Sequence, residues 1–253
     1  LSSAFRMKRS LEGTKRVSSR PKKQVKSYHE DKLSSLDAAA VDPPTGTSAK
    51  NPPKITIHPD KQPIPAKSKK GYYQFGDHPE FRPNLSPKEV LQLGSFGGTY
   101  FRVITSGVTG LTYREAWKEL PPDWLEGLKI PRQVSSQTYD VSVNRYGVSC
   151  GGDLHMWESS GWITEADPFG WFQWYCRFFQ GRRCSDDGRQ ISRGNGVMGP
   201  KGRWRNNLVN RCLKSGKSPE DALHDPKISP KVRQLLQHWG YQLTMEDLEA
   251  GMK

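Results

Sequence analysis

Apolar positions recur at helical spacing through the last third of the chain. Val232, Leu235, Leu236 and Trp239 fall at i, i+3, i+4 and i+7, one face of an amphipathic helix that opens at Ser229 and Pro230. In "GRWRNNLVNRCLKSG", Trp204, Leu208, Val209, Cys212 and Leu213 share half a helical wheel and leave Asn206, Asn207, Asn210, Arg211 and Lys214 on the other half. Between residues 169 and 180 the aromatic side chains spread over most of the wheel, and only Gln173, Arg177 and Gln180 form a polar stripe. A surface helix shows a narrower apolar face, so this segment is expected to be enclosed by other helices. Its polar stripe then needs hydrogen-bond partners inside the protein.

Start and stop signals supply the remaining elements. Ser86 followed by Pro87, with Gly94 as the stop, predicts a short helix; Thr112 and Glu115 read as a capping box ended by Pro121. Another short helix is expected at "DLHMWES". Asp167 and Pro168 are expected to open the aromatic helix, which ends at Gly181. Ser185 is expected to open a helix through "CSDDGRQISRG", and Ser218 with Pro219 opens one through "KSPEDALHD". "TYFRVIT" and "YDVSVNRYGVS" have strand composition. The fold class is therefore mainly α with minor β: a compact multi-helix single domain over residues 71–253, with no internal repeat.

Composition sets the boundary of that domain. Residues 1–70 hold no Trp, one Phe and one Tyr among many Lys, Ser and Pro, too little apolar surface to offset chain entropy, and read as a disordered basic arm. Of the +13 formal charge, this arm carries +10, from 16 Lys and Arg against 6 Asp and Glu. Clusters such as "RPKKQVK" suggest a nuclear address or a polyanion-binding arm, with a solubilising linker or transit peptide as the alternative. No apolar run approaches the ~18 residues of a membrane span. Cys150, Cys176, Cys184 and Cys212 lack CxxC or zinc-site spacing, so free thiols in a reducing intracellular compartment, and no metal or cofactor, are expected.

The charge of the body is concentrated. Arg177, Arg182, Arg183, Arg189, Arg193, Lys201, Arg203, Arg205, Arg211 and Lys214 share their stretch with only two acids, Asp186 and Asp187. Arginine's planar fork suits phosphate and guanine, and Asn207 and Asn210 beside it suit adenine. This predicts a nucleic-acid-binding surface over residues 177–214, duplex DNA favoured over RNA, with the arm adding phosphate contacts. The "GNGVMGPKG" stretch reads as a linker of about nine residues, too long for the three or four of a helix-turn-helix. "GSFGGTYF" reads as a turn and lacks the phosphate-binding glycine spacing.

Two alternatives remain open. One is a nucleic-acid-processing enzyme, a glycosylase or nuclease, drawing a carboxylate from Asp153, Glu158, Asp186 or Asp187; His155, Glu165 and Asp167 complete the candidates, without forming a recognisable constellation. The other is a subunit docking an acidic protein on the same cationic face.

Overall fold

A computed structural model of the chain describes residues 54–252. The expected arm lies outside the described residues up to position 53, whereas residues 54–70, assigned to it by composition, run along the body. His58 and Gln62 donate backbone N–H groups to Arg183 and Gly181 (2.9 Å each), and Ser185 donates to Thr56 (2.9 Å). Gly181 adopts φ +91°, and a Cβ there would lie 2.1 Å from the Gln62 carbonyl oxygen. The glycine expected as a helix stop is therefore also what lets this strip approach.

The described chain is helix-rich, with two small antiparallel hairpins. β1 (Ala66–Lys67) pairs with β2 (Tyr73–Gln74), and β3 (Ile104–Thr105) with β4 (Thr112–Tyr113). The helices are α1 (Pro87–Gln92), α2 (Ile130–Gln133), α3 (Leu154–Ser159), α4 (Trp171–Phe179), α5 (Asp187–Met198), α6 (Arg203–Leu213), α7 (Pro219–His224), α8 (Pro230–His238) and α9 (Met245–Gly251). α1 has the expected Ser86 cap, closed as a reciprocal box with Glu89.

α4 is the centre of the body: all its residues except Arg177 are buried. The Phe81 ring meets Trp171, Trp174, Tyr175 and Phe178 edge-on at 5.7–6.4 Å. The polar stripe finds partners among the described residues: Gln173 accepts from the Phe169 N–H (3.0 Å) and donates to Glu119 (3.0 Å). α6 forms a second hub, packed by α5, α7, α8 and α9, with Trp204, Leu208 and Cys212 fully enclosed.

Several expected elements differ. Thr112 enters β4 instead of capping a helix, and Glu115 takes a left-handed φ of 52° before a 3-10 turn. "YDVSVNRYGVS" contains the 3-10 turn Val141–Val143 rather than a strand, because Asp140 captures the Ser142 N–H at 2.9 Å. α4 begins after Gly170, so Asp167 is not its cap. α5 continues through Gly194 and Gly196 to Met198, which shortens the link to α6 to residues 199–202. Gly194 has no Cβ to hold off the rings of Phe81 and Trp171, which would stand 3.2–3.3 Å away, so packing overrides its weak helix propensity.

Candidate functional site

The cationic stretch is largely spent inside the protein. Asp167, 1% exposed, accepts both forks of Arg182 (2.6 and 2.7 Å) and one from Arg177, which also reaches Glu119. Arg183 is buried, grips Asp77 through Nε and Nη2 (2.6 and 3.1 Å) and lies 3.8 Å over the Phe178 ring. Arg189 holds Asp186 at 2.6 and 2.7 Å, and Arg205 pairs with Asp247. The Arg182, Arg183 and Arg189 pairs are bidentate, and that of Arg183 ties the chain just after α4 to a segment 106 residues away. Arg211 donates to Asn207 (3.2 Å), and Arg203 lies over Trp204. Lys201, Asn206, Asn210 and Lys214 are exposed along α6.

The carboxylates considered for chemistry are similarly occupied. Asp187 accepts from Trp174 Nε1 and the Cys184 N–H, both at 2.8 Å. Glu158 accepts from the Gly107 N–H (2.8 Å) and tethers α3 to the β3–β4 hairpin. Asp153 caps α3 through the Met156 N–H (2.8 Å). His155 and Glu165 are exposed. None of the four cysteines is in a disulfide, and all are buried.

Arg193 alone among the buried arginines of that stretch has no carboxylate partner. It points from α5 into a cleft, 8% exposed, with its carbon centre 5.4 Å from the Trp162 ring and 5.8 Å from the Trp239 ring. Nη1 donates to Gln190 Oε1 (2.8 Å), while Nε is enclosed without an acceptor. Among the described residues Nη2 has none either. Burial pushes this guanidinium down to about 9, the Arg189 charge adding to the effect, and it remains a cation at neutral pH.

The opposite wall is built from α8 and the turn Phe96–Gly98. His238 Nε2 accepts the Phe96 N–H at 3.0 Å, and the two rings stack at 4.1 Å and 19°. An Nε2 that accepts leaves the ring proton on Nδ1. Burial pushes the imidazole down to about 3, so it is a neutral donor. The contact requires an uncommon backbone: Phe96 has φ 58°, followed by Gly97 at 55° and Gly98 at 76°. A bulky residue in the left-handed region is strained and persists only where its surroundings hold it.

The cleft has two chambers. The inner one, about 80 Å³, is lined by Trp162, Trp171, Trp239 and Leu235. The outer one, about 260 Å³, shares Phe96, Tyr100, Gly151 and Trp157 with it and adds Arg102, Tyr139 and Asp153. Tyr100 is not free for a ligand: its hydroxyl donates to the Phe169 carbonyl (2.7 Å) and accepts the Gln173 N–H (2.9 Å).

Of the residues selected from sequence, only Arg193 lines the inner chamber. Phe96, Trp162 and His238 were not selected, because their segments are far apart along the chain and no local spacing joins them. A usable signal was present in Phe96 followed by two glycines, a pattern suited to consecutive positive φ angles. The chain matches no protein-family model, no curated protein and no solved structure, so the chemistry of this cleft is carried by its own residues.

Proposed function

We propose that the chain is a ligand-binding domain whose two-chambered aromatic cleft takes a small organic molecule. The observation that supports this best is Arg193: a buried cation with no carboxylate in salt-bridge contact, acted on only through space by Asp186 and walled by tryptophans, in a body where its neighbours Arg182, Arg183 and Arg189 are each matched to a carboxylate. Apolar walls with a few convergent polar groups are the usual make-up of a small-molecule site. A fragment library screened by thermal shift tests it. Hits are expected to quench tryptophan emission and to lose affinity in Trp162→Ala; a library without a single hit would end the proposal.

A second reading keeps nucleic acid as the partner, with duplex DNA ahead of RNA, and is favoured by one observation. α5 and α6 are joined by only the four residues 199–202, within helix-turn-helix spacing. α6 then presents Asn206, Asn210 and Lys214 to solvent, with no acid along its length. In this reading Lys201 and Lys214 contact phosphate, Asn206 and Asn210 meet base edges, and the basic N-terminal residues add non-specific affinity. Fluorescence anisotropy with duplex DNA, as a function of salt, is expected to show weaker binding and a shallower salt slope for Lys201→Ala and Lys214→Ala. Identical curves for both variants and the unmodified chain would remove this reading.

A further inference from the structure

The inner chamber is asymmetric in its hydrogen-bonding chemistry. Arg193 contributes Nε and Nη2, neither of which has a protein acceptor among the described residues, and His238 carries its ring proton on Nδ1. No Asp, Glu, Asn or Gln lines this chamber, and the Tyr100 hydroxyl is already committed. A molecule held here by polar contacts must bring the acceptors itself. A cationic head would find ring faces but would stand against the Arg193 charge.

The guanidinium edge narrows the class. Nε–H and Nη2–H point the same way and match the two oxygens of a carboxylate, a flat group that slides between flat walls. A phosphate is tetrahedral and is commonly held by several donors or by a helix N-terminus. The chamber supplies one guanidinium and is walled by the rings of Trp162, Trp171 and Trp239.

Size sets the position of the rest of the ligand. At about 80 Å³ the inner chamber holds several waters but is smaller than the ~150 Å³ of an apolar cavity known to take benzene. It accommodates a head group rather than a whole ring. The continuation past Phe96, Gly151 and Trp157 opens into the larger, more polar outer chamber, where Arg102 stands.

We propose that the inner chamber takes the carboxylate of a planar, conjugated or aromatic organic acid, with Arg193 as its counterion and His238 as a second donor, the remainder of the molecule extending past Trp157. This rests on the reading of the cleft as a ligand site. No bond is made or broken in the step; the acid binds as its anion.

The test uses pairs matched in shape and different in charge. The full chain is titrated with trans-cinnamate and indole-3-carboxylate, and with cinnamamide and indole-3-carboxamide, following tryptophan emission and the melting temperature. The acids are expected to bind at least about tenfold more tightly than the amides, the scale of one charge-assisted contact. Arg193→Met is expected to weaken the acids far more than the amides and so to abolish the preference between them, while Arg193→Lys recovers part of it. Equal affinity for acid and amide overturns the carboxylate assignment and leaves the ligand site standing. Library hits that are all neutral or cationic overturn it in the same way. If neither the four probes nor any library compound binds, the ligand-site reading falls with it. The acid-to-amide comparison is made on the unmodified chain and does not depend on any variant folding.

Discussion

Arg193→Met separates a binding cation from a bracing one. The guanidinium, moved from its ordinary 12.5 to about 9, is a cation disfavoured by about 5 kcal/mol relative to water. Two ring contacts, at 5.4 and 5.8 Å, and the hydrogen bond to Gln190 hold the cation in place without cancelling that cost. The ligand-free protein is left carrying a net penalty for the buried charge. Methionine keeps an unbranched stem and places a polarizable sulfur against Trp162 and Trp239 without that charge. The variant is therefore expected to melt about 2–4 °C above the unmodified protein in buffer free of organic acids. Differential scanning calorimetry at neutral pH measures this directly. A fall in melting temperature of similar size or more would place Arg193 with Arg183 as a structural brace and refute the reasoning. Greater stability combined with lost ligand affinity is the signature of a group retained for binding at the expense of the fold.

Asp167→Asn is expected to destabilise the protein by about 3 kcal/mol, because it leaves Arg177 and Arg182 without their shared carboxylate; urea denaturation reads this, and a change under 1 kcal/mol would contradict the bracing role. The Arg183 guanidinium, through its hydrogen bond, holds the Asp77 carboxyl below its usual range. A depressed carboxyl stabilises above its unfolded value of 3.8, and that contribution disappears as pH falls through the lowered native value. The advantage of the unmodified chain over Asp77→Asn should therefore be full at neutral pH and shrink in acid, whereas a pH-independent difference would argue against the pair. Burial, with the hydrogen bond to Asp187 next, pushes the Cys184 thiol up to about 12, and burial raises Cys176 and Cys212 as well. With all four cysteines buried, a thiol reagent at pH 8 should find none within minutes and four after unfolding.

Local rules were legible where neighbours in sequence decide the outcome. The Ser86 cap and Pro87 opened α1 as written, and the Val232-to-Trp239 stripe turned inward on α8. The broad aromatic face of residues 169–180 implied an enclosed helix, and of its polar stripe Gln173 is buried while Arg177 and Gln180 are partly exposed. The roles of the arginines were not legible, because the acids that pair with Arg177, Arg183 and Arg205 are Glu119, Asp77 and Asp247, all outside the window in which charge was counted. A charge run reports what a segment contains, whereas exposure depends on what the fold brings to it. Gly194 and Gly196 read as a linker because glycine weakens helices, yet ring packing at Gly194 carries α5 through them. The cleft was the least legible of all, since Phe96, Trp162, Arg193 and His238 come from four separate segments.

The order of the bracing ion pairs along the chain has a consequence for synthesis from the N-terminus. Asp77, Glu119 and Asp167 all precede the arginines they neutralise, so Arg177, Arg182 and Arg183 leave the ribosome after their acids have been made. Arg205 is reversed: its partner Asp247, which also accepts from the Tyr241 hydroxyl and the Thr244 N–H, belongs to the last helix. Every nascent chain thus holds Arg205 at the α6 hub without its carboxylate until Asp247 has been made. A product cut before Asp247 keeps there a cation that none of the earlier described acids was positioned to meet.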